Sequence, residues 1–155
     1  MGIVVSIHKV LERGGPAQPL QAANFISNFG MEGDYRSRRN RGRQITLIEE
    51  ESLFHIATVL KIVIPPGASR RQVVVSGISL NETVGMRLRV GPLLIQVHDL
   101  CDPCRKMERA IGPDARRAML GIGGICGRVI EGGILRPGDA VAVLPESQTL
   151  MSFAT

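Results

Sequence analysis

The sequence contains no tryptophan, and its aromatic side chains number only five: Phe25, Phe29, Tyr35, Phe54 and Phe153. Proteins that hold single-stranded nucleic acid combine positive charge with aromatic stacking platforms. A net charge of +5 supplies the first without the second. Nucleic acid is therefore not an expected partner, and a small anionic ligand explains the charge more economically. Cysteine is also scarce, with only Cys101, Cys104 and Cys126. An odd number cannot close a disulfide framework. A chain of 155 residues does not need one, because folding at this length buries roughly two thirds of the unfolded surface. Free thiols in a reducing compartment are the expectation.

No apolar run reaches the roughly 18 residues of a membrane span. The opening MGIVVSIHKV lacks the charged start and long apolar stretch of a signal peptide. A cytoplasmic location away from membranes is expected. Gly2 and Ser6 satisfy the short myristoylation pattern, but alternating Ile3, Val5 and Ile7 account for the same residues as a first strand. The chain also lacks G-x-S-x-G, H-E-x-x-H and a P-loop with its lysine. The run Gly121-Ile122-Gly123-Gly124-Ile125-Cys126-Gly127 fails as a dinucleotide loop: Cys126 occupies the third glycine position, and the run precedes a strand instead of following one. Its glycines permit close approach of backbone to a ligand, or equally a tight turn into the next strand.

What the chain does contain is a succession of short β-branched segments between glycine and proline punctuation. They lie at residues 2–10, 43–48, 72–75, 86–90, 93–98, 125–131 and 140–144. That spacing predicts a mainly β domain, a barrel or sandwich rather than a βαβ fold. The unbroken Val73, Val74, Val75 predicts a strand covered on both faces. One helix is expected at 49–61, where Leu53, Ile56, Ala57 and Leu60 recur at helical spacing behind Glu49, Glu50 and Glu51. A second is expected at 103–119, broken at Gly112-Pro113. Residues 1–145 form the single expected domain and 146–155 a tail.

The segment richest in chemistry is His98-Asp99-Leu100-Cys101-Asp102-Pro103-Cys104-Arg105-Lys106. Asp102 suits an N-cap and Pro103 a first helical position. Cys104 is then expected in the first turn, where free amides, the helix dipole, Arg105 and Lys106 favour a thiolate against the opposing charge of Asp102. A buried structural thiol is the alternative. Cys101 and Cys104 make a C-x-x-C pair, but a thioredoxin-like couple sits after the first strand of a βαβ unit, and that context is missing. For structural zinc the remaining candidates, Cys126, His98, His55 and His8, are scattered. A partial site from Cys101, Cys104 and His98 stays open, as does a transient Cys101–Cys104 disulfide. Arg36, Arg38, Arg39, Arg41 and Arg43 read either as a solvated loop or as a phosphate grip, and so do Arg70 and Arg71.

An ordered set of segments carries a family resemblance. G-M-E-G-D at 30–34, R-Q-I-T-L-I-E at 43–49 and S-R-R-Q-V-V-V-S-G-I-S-L-N at 69–81 come first. V-G-M-R-L-R-V-G at 84–91, C-D-P-C-R-K-M at 101–107, G-G-I-C-G-R-V at 123–129 and G-G-I-L-R-P-G-D at 132–139 follow. In this order and spacing they resemble the stand-alone bacterial MOSC domain, the family named after the C-terminal part of molybdenum-cofactor sulfurases. The resemblance implies a MOSC-type β-barrel with a few peripheral helices. It implies that Cys104, the cysteine of the P-C motif, carries sulfur or contacts molybdenum, and that Arg71, Gly123, Gly124 and Arg128 line a cofactor pocket. The implied cofactor is the molybdenum cofactor; the pyridoxal phosphate chemistry associated with the family belongs to a desulfurase domain outside the resemblance. Sulfur would arrive from a cysteine desulfurase or other donor and pass to an acceptor metalloenzyme or cofactor. Three functions remain open: a sulfur carrier, a molybdenum-dependent reductase of N-hydroxylated compounds, and a non-catalytic anion-binding module.

Overall fold

The computed structural model describes residues 1–38, 43–64, 67–101, 108–109, 111–112 and 114–145. In chain order the elements are β1 (Gly2–Lys9), β2 (Gln18–Leu20), β3 (Ala23–Ile26), β4 (Gly30–Met31), β5 (Ile45–Glu49) and α1 (Glu50–Leu60). β6 (Val73–Ser76), β7 (Arg87–Val90), β8 (Leu93–Leu100), α2 (Ala115–Ala118), β9 (Ile125–Glu131), β10 (Gly133–Leu135) and β11 (Ala140–Val143) follow.

Seven strands close a barrel in the order β11-β7-β8-β9-β5-β6-β1, sealed where Gly2 pairs with Val141 and Ile3 with Ala140. These are the seven segments expected from the sequence. Closure leaves no unpaired edge among them, which removes the template that open sheets present to other chains. Inward positions alternate along each strand and fill the interior with Val4, Ile45, Leu47, Val73, Val75, Leu88, Ile95, Val97, Ile125 and Val129, all at most 1% exposed. A smaller sheet, β10-β3-β4, adds Phe25, Met31 and Leu135 to the same core.

The barrel expected in place of a βαβ fold is present, and it contains one parallel pair. Every pairing in the barrel is antiparallel except β5–β6, which is parallel with Leu47 opposite Val73. Parallel neighbours need a crossover, and α1 provides it. That helix covers the outer face of β5 and β6, where Ile48 and Val74 pack with Ile56, Ala115 and Met119. Val73 to Val75 are thus buried on both sides, two valines inside the barrel and one beneath α1. The helix ends at Lys61, whose φ of 54° turns its N–H back to Ala57 O and Thr58 O.

Of the second expected helix, Glu108, Arg109 and Ile111 are helical, Gly112 leaves the helical region at φ 139°, and α2 resumes two residues past the proline. The break at Gly112 falls where it was expected. Residues 102–107, 110, 113 and the expected tail 146–155 lie outside the described residues. No described helix is long and apolar enough to cross a membrane.

Candidate functional site

Strand β8 runs two residues further than its apolar pattern predicts, through Asp99 and Leu100, and this extension places Cys101. The register slips between Val97, opposite Gly127, and Asp99, opposite Cys126. His98 occupies the resulting bulge and is exposed. Bulges re-aim the side chains that follow them. Beyond Leu100 the Cys101 N–H donates to Gly124 O at 2.8 Å, carrying the ladder one step further. Ile125 and Val129 point into the barrel, so Cys126 and Arg128 between them face outward.

Cys101 and Cys126 are both buried, at 3% and 6% exposure, and neither is in a disulfide. Two guanidinium groups converge on Cys101. Arg43 Nη2 donates to Cys101 Sγ at 3.3 Å. Arg71, itself 3% exposed, is held by donation from its Nε to Gly123 O at 2.8 Å and from its backbone N–H to Ser69 Oγ at 3.3 Å. The Cys126 thiol, which hydrogen-bonds the sulfur, lowers the Cys101 pKa most; burial opposes it, and the charges of Arg71 and Arg43 add to the lowering, leaving Cys101 at about 6. Cys126 is pushed up by the same neighbour and by burial, so it keeps its proton and donates. The pair therefore holds one thiolate, on Cys101, between two cations and a thiol.

The glycines expected to line a pocket pack against backbone. A Cβ at Gly123 would come within 2.6 Å of Cys101 O and 3.4 Å of Arg71 Nη2. Gly124 has φ 94°, and a Cβ there would run into Leu47 O. These two residues are thus required by the close approach of the β9 entry to β5 and to the end of β8, and they bring Arg71 and Cys101 together. Arg128 stands apart from this cluster: it is exposed and donates from Nη2 to Asn28 Oδ1 at 2.9 Å. Gln44 joins it there, donating to the same oxygen at 3.3 Å while its Oε1 accepts from Val129 N at 3.0 Å.

The arginine run divides by role. Arg36 is a structural residue, paired with buried Asp34 at 2.8 Å and donating to Arg70 O at 2.5 Å. Burial would raise the Asp34 carboxyl, but the hydrogen bonds and charge of Arg36 outweigh it and hold the group below its ordinary range. Arg43 belongs to the thiol cluster, whereas Arg39, Arg41 and the side chain of Arg38 lie outside the described residues. So does Cys104, with Asp102, Pro103, Arg105 and Lys106. Arg43 and Cys126 were legible only as members of a charge run and of a scattered set; no spacing rule linked them to Cys101. Among the described residues no group of three or more His, Cys, Asp and Glu is placed to hold a metal ion.

A second feature lies between β1 and α1. This cavity of about 630 Å³ is lined largely by apolar side chains, including Val5, Leu53, Phe54 and Val74, and excludes the thiol cluster. His8 lies on its wall; its Nε2 contacts Ser6 Oγ at 2.9 Å, and its buried Nδ1 has no hydrogen-bond partner among the described residues.

The comparisons with known proteins agree with this architecture. The YuaD protein from Bacillus subtilis shares 20% identity at a TM-score of 0.70, over 91% of this chain and 94% of that one. YiiM from Escherichia coli shares 18% identity at a TM-score of 0.69, over 92% of this chain and 70% of that one. YiiM from Geobacillus stearothermophilus shares 18% identity at 0.65, over 93% and 73%. Identities this low carry the fold alone. No curated protein matches the sequence. The family model of the MOSC domain matches residues 14–142, which contain five of the seven barrel strands and most of β11, both glycines and both described cysteines, and the chain therefore belongs to the MOSC domain family.

Proposed function

We propose that this chain is a sulfur carrier that takes sulfane sulfur on Cys104 and delivers it to a metal–sulfur centre. The observation that carries the reading is the cationic environment immediately before the P-C motif, where Arg43 and Arg71 hold a thiolate at Cys101. A negatively charged persulfide needs the same stabilisation as a thiolate. In the transfer, the Cys104 thiolate attacks the outer sulfur of a donor persulfide, such as that of a cysteine desulfurase. A new S–S bond forms on Cys104, the donor S–S bond breaks, and the donor cysteine leaves as a thiolate. A reducing cytoplasmic compartment belongs to this reading, since it keeps the three thiols available.

The acceptor in this reading is the molybdenum cofactor or an enzyme that contains it. The described residues fit such an anionic group in charge. Arg71 lies beside the glycines at the β9 entry, and Arg128, with Asn28 and Gln44, presents donors on the outer face of β9. Arg71 and Arg128 would hold its anionic parts, Gly123 and Gly124 serving to bring Arg71 beside the thiols, with Cys104 as the metal ligand. When bound, that cofactor would supply redox chemistry at molybdenum. This donor array also favours a second reading, a reductase of N-hydroxylated compounds fed by a separate redox protein. Arg128 and Asn28 would then orient the anionic parts of the cofactor, while Arg43 and Arg71 keep the adjacent thiolate charged.

The deciding experiment incubates the reduced protein with a cysteine desulfurase and cysteine, then maps sulfur adducts by mass spectrometry. An added sulfur on the Cys104 peptide, lost in Cys104→Ser, is the expected result. No adduct on Cys104 sinks the carrier. Molybdenum and pterin in protein purified from a cofactor-competent host would then favour the reductase, and their absence would leave a non-catalytic anion-binding module.

A further inference from the structure

We propose that Cys101 and Cys126 form an oxidisable dithiol, a modification site at which hydrogen peroxide joins the end of β8 to β9 by a disulfide. This goes beyond the carrier reading, which uses Cys104. The two residues are diagonal neighbours across an antiparallel ladder, because Asp99 lies opposite Cys126 and the Cys101 N–H donates to Gly124 O. By the two-residue period of a strand, Asp99, Cys101 and Cys126 share one face of this ladder, and Cys126 Sγ donates to Asp99 O at 3.8 Å. Two thiols kept only for packing would need no counter-charge. Here Arg43 reaches in from an otherwise exposed position to donate to Cys101 Sγ, and a second buried guanidinium, Arg71, stands beside it.

Each partner has a role in the chemistry. The Cys101 thiolate attacks one oxygen of the peroxide; the O–O bond breaks, Cys101 becomes a sulfenic acid, and the departing hydroxide takes a proton to leave as water. The Cys126 sulfur then attacks the Cys101 sulfur. The S–S bond forms, the S–O bond breaks, and the hydroxyl departs with the Cys126 proton as a second water. Overall two thiols and one peroxide give one disulfide and two waters, the sulfurs being oxidised and the peroxide reduced. Burial to 3% and 6% exposure disfavours attack by a bulky disulfide such as oxidised glutathione, so the oxidant class in this proposal is small peroxides.

The test treats the reduced full-length chain with hydrogen peroxide, blocks remaining thiols and maps peptides without reduction. A Cys101–Cys126 linked peptide is expected, two hydrogens lighter than the separate peptides, reversed by dithiothreitol and still formed in Cys104→Ser. Oxidised glutathione at the same concentration is expected to give none. In Cys126→Ala, a sulfenic acid trapped by dimedone should accumulate on Cys101. A Cys101–Cys104 link in the wild type, or peroxide oxidation confined to Cys104 with Cys101 and Cys126 still reduced, overturns the proposal. The wild-type map decides the matter even if a variant fails to fold. Because sulfur loading is read on Cys104 and disulfide formation on the other two cysteines, either claim can fail without the other.

Discussion

At the scale of single residues, the chemistry of the site depends on which groups surround one sulfur. Cys101 would be an ordinary buried thiol, with its pKa raised by desolvation, if burial acted alone. The Cys126 hydrogen bond and the Arg71 and Arg43 charges reverse that outcome and leave it at about 6. In a Cys104→Ser background the ultraviolet thiolate absorbance should therefore show a first midpoint near 6. Arg43→Gln and Cys126→Ala should each move it upward, and an unchanged midpoint in both would show that neither group sets the charge. Gly124 makes a separate prediction. Alanine there combines a left-handed φ with a collision against Leu47 O, so Gly124→Ala should cost about 3 kcal/mol or more in urea unfolding. A loss well under 1 kcal/mol would mean that the turn relaxes freely.

At the scale of elements, the seven barrel strands were legible because each carries an alternating or continuous apolar run long enough to show its period. The short strands β2, β3, β4 and β10 were not. They span two to four residues and contain Pro19, Gly30 and Gly133, which read as turn signals. Their pairing is imposed by the barrel end they cover, where Phe25, Met31 and Leu135 complete the core. The crossover helix was legible, while its consequence, a parallel β5–β6 pair, follows only from where β6 docks. Ile56 anchors this helix on Ile48 and Val74 and is 0% exposed. Ile56→Ala should cost about 2–4 kcal/mol by loss of buried volume. The nearby exposed change Phe54→Ala, at a residue 65% exposed, should cost much less. Equal losses would mean that α1 does not pack as described.

At the scale of the molecule, the buried titratable groups give stability a definite pH dependence. Cys101 has a folded pKa of about 6 against an ordinary 9.0, so its contribution is full above 9 and is lost as pH falls towards 6. His8, lowered from 6.5 by burial, adds loss in the same direction as pH falls below that value, because the unfolded chain binds the proton more readily. Cys126, raised above its ordinary 9.0, acts oppositely, but only at higher pH. Glu49, raised from 4.5 chiefly by burial, acts only in the acid range. Urea midpoints should therefore rise between pH about 6 and 9, and Cys101→Ala should flatten that slope. A flat or falling slope in the parent protein would contradict the buried thiolate.

The sequence by itself determined the mainly β class, the seven barrel strands, the crossover helix and the family, because period, punctuation and ordered motifs are local properties of the chain. It also singled out Arg71, Gly123 and Gly124, though for a ligand that they would line. Tertiary structure decided that the two glycines lie against backbone, that Arg36 is a structural ion pair, and that Arg128 stands apart with Asn28. It alone brought together Arg43, Arg71, Cys101 and Cys126, which are contributed by four separate segments. A thiolate is stabilised by charge and hydrogen bonding through space, and barrel closure, with its bulge at His98, sets which distant residues share that space.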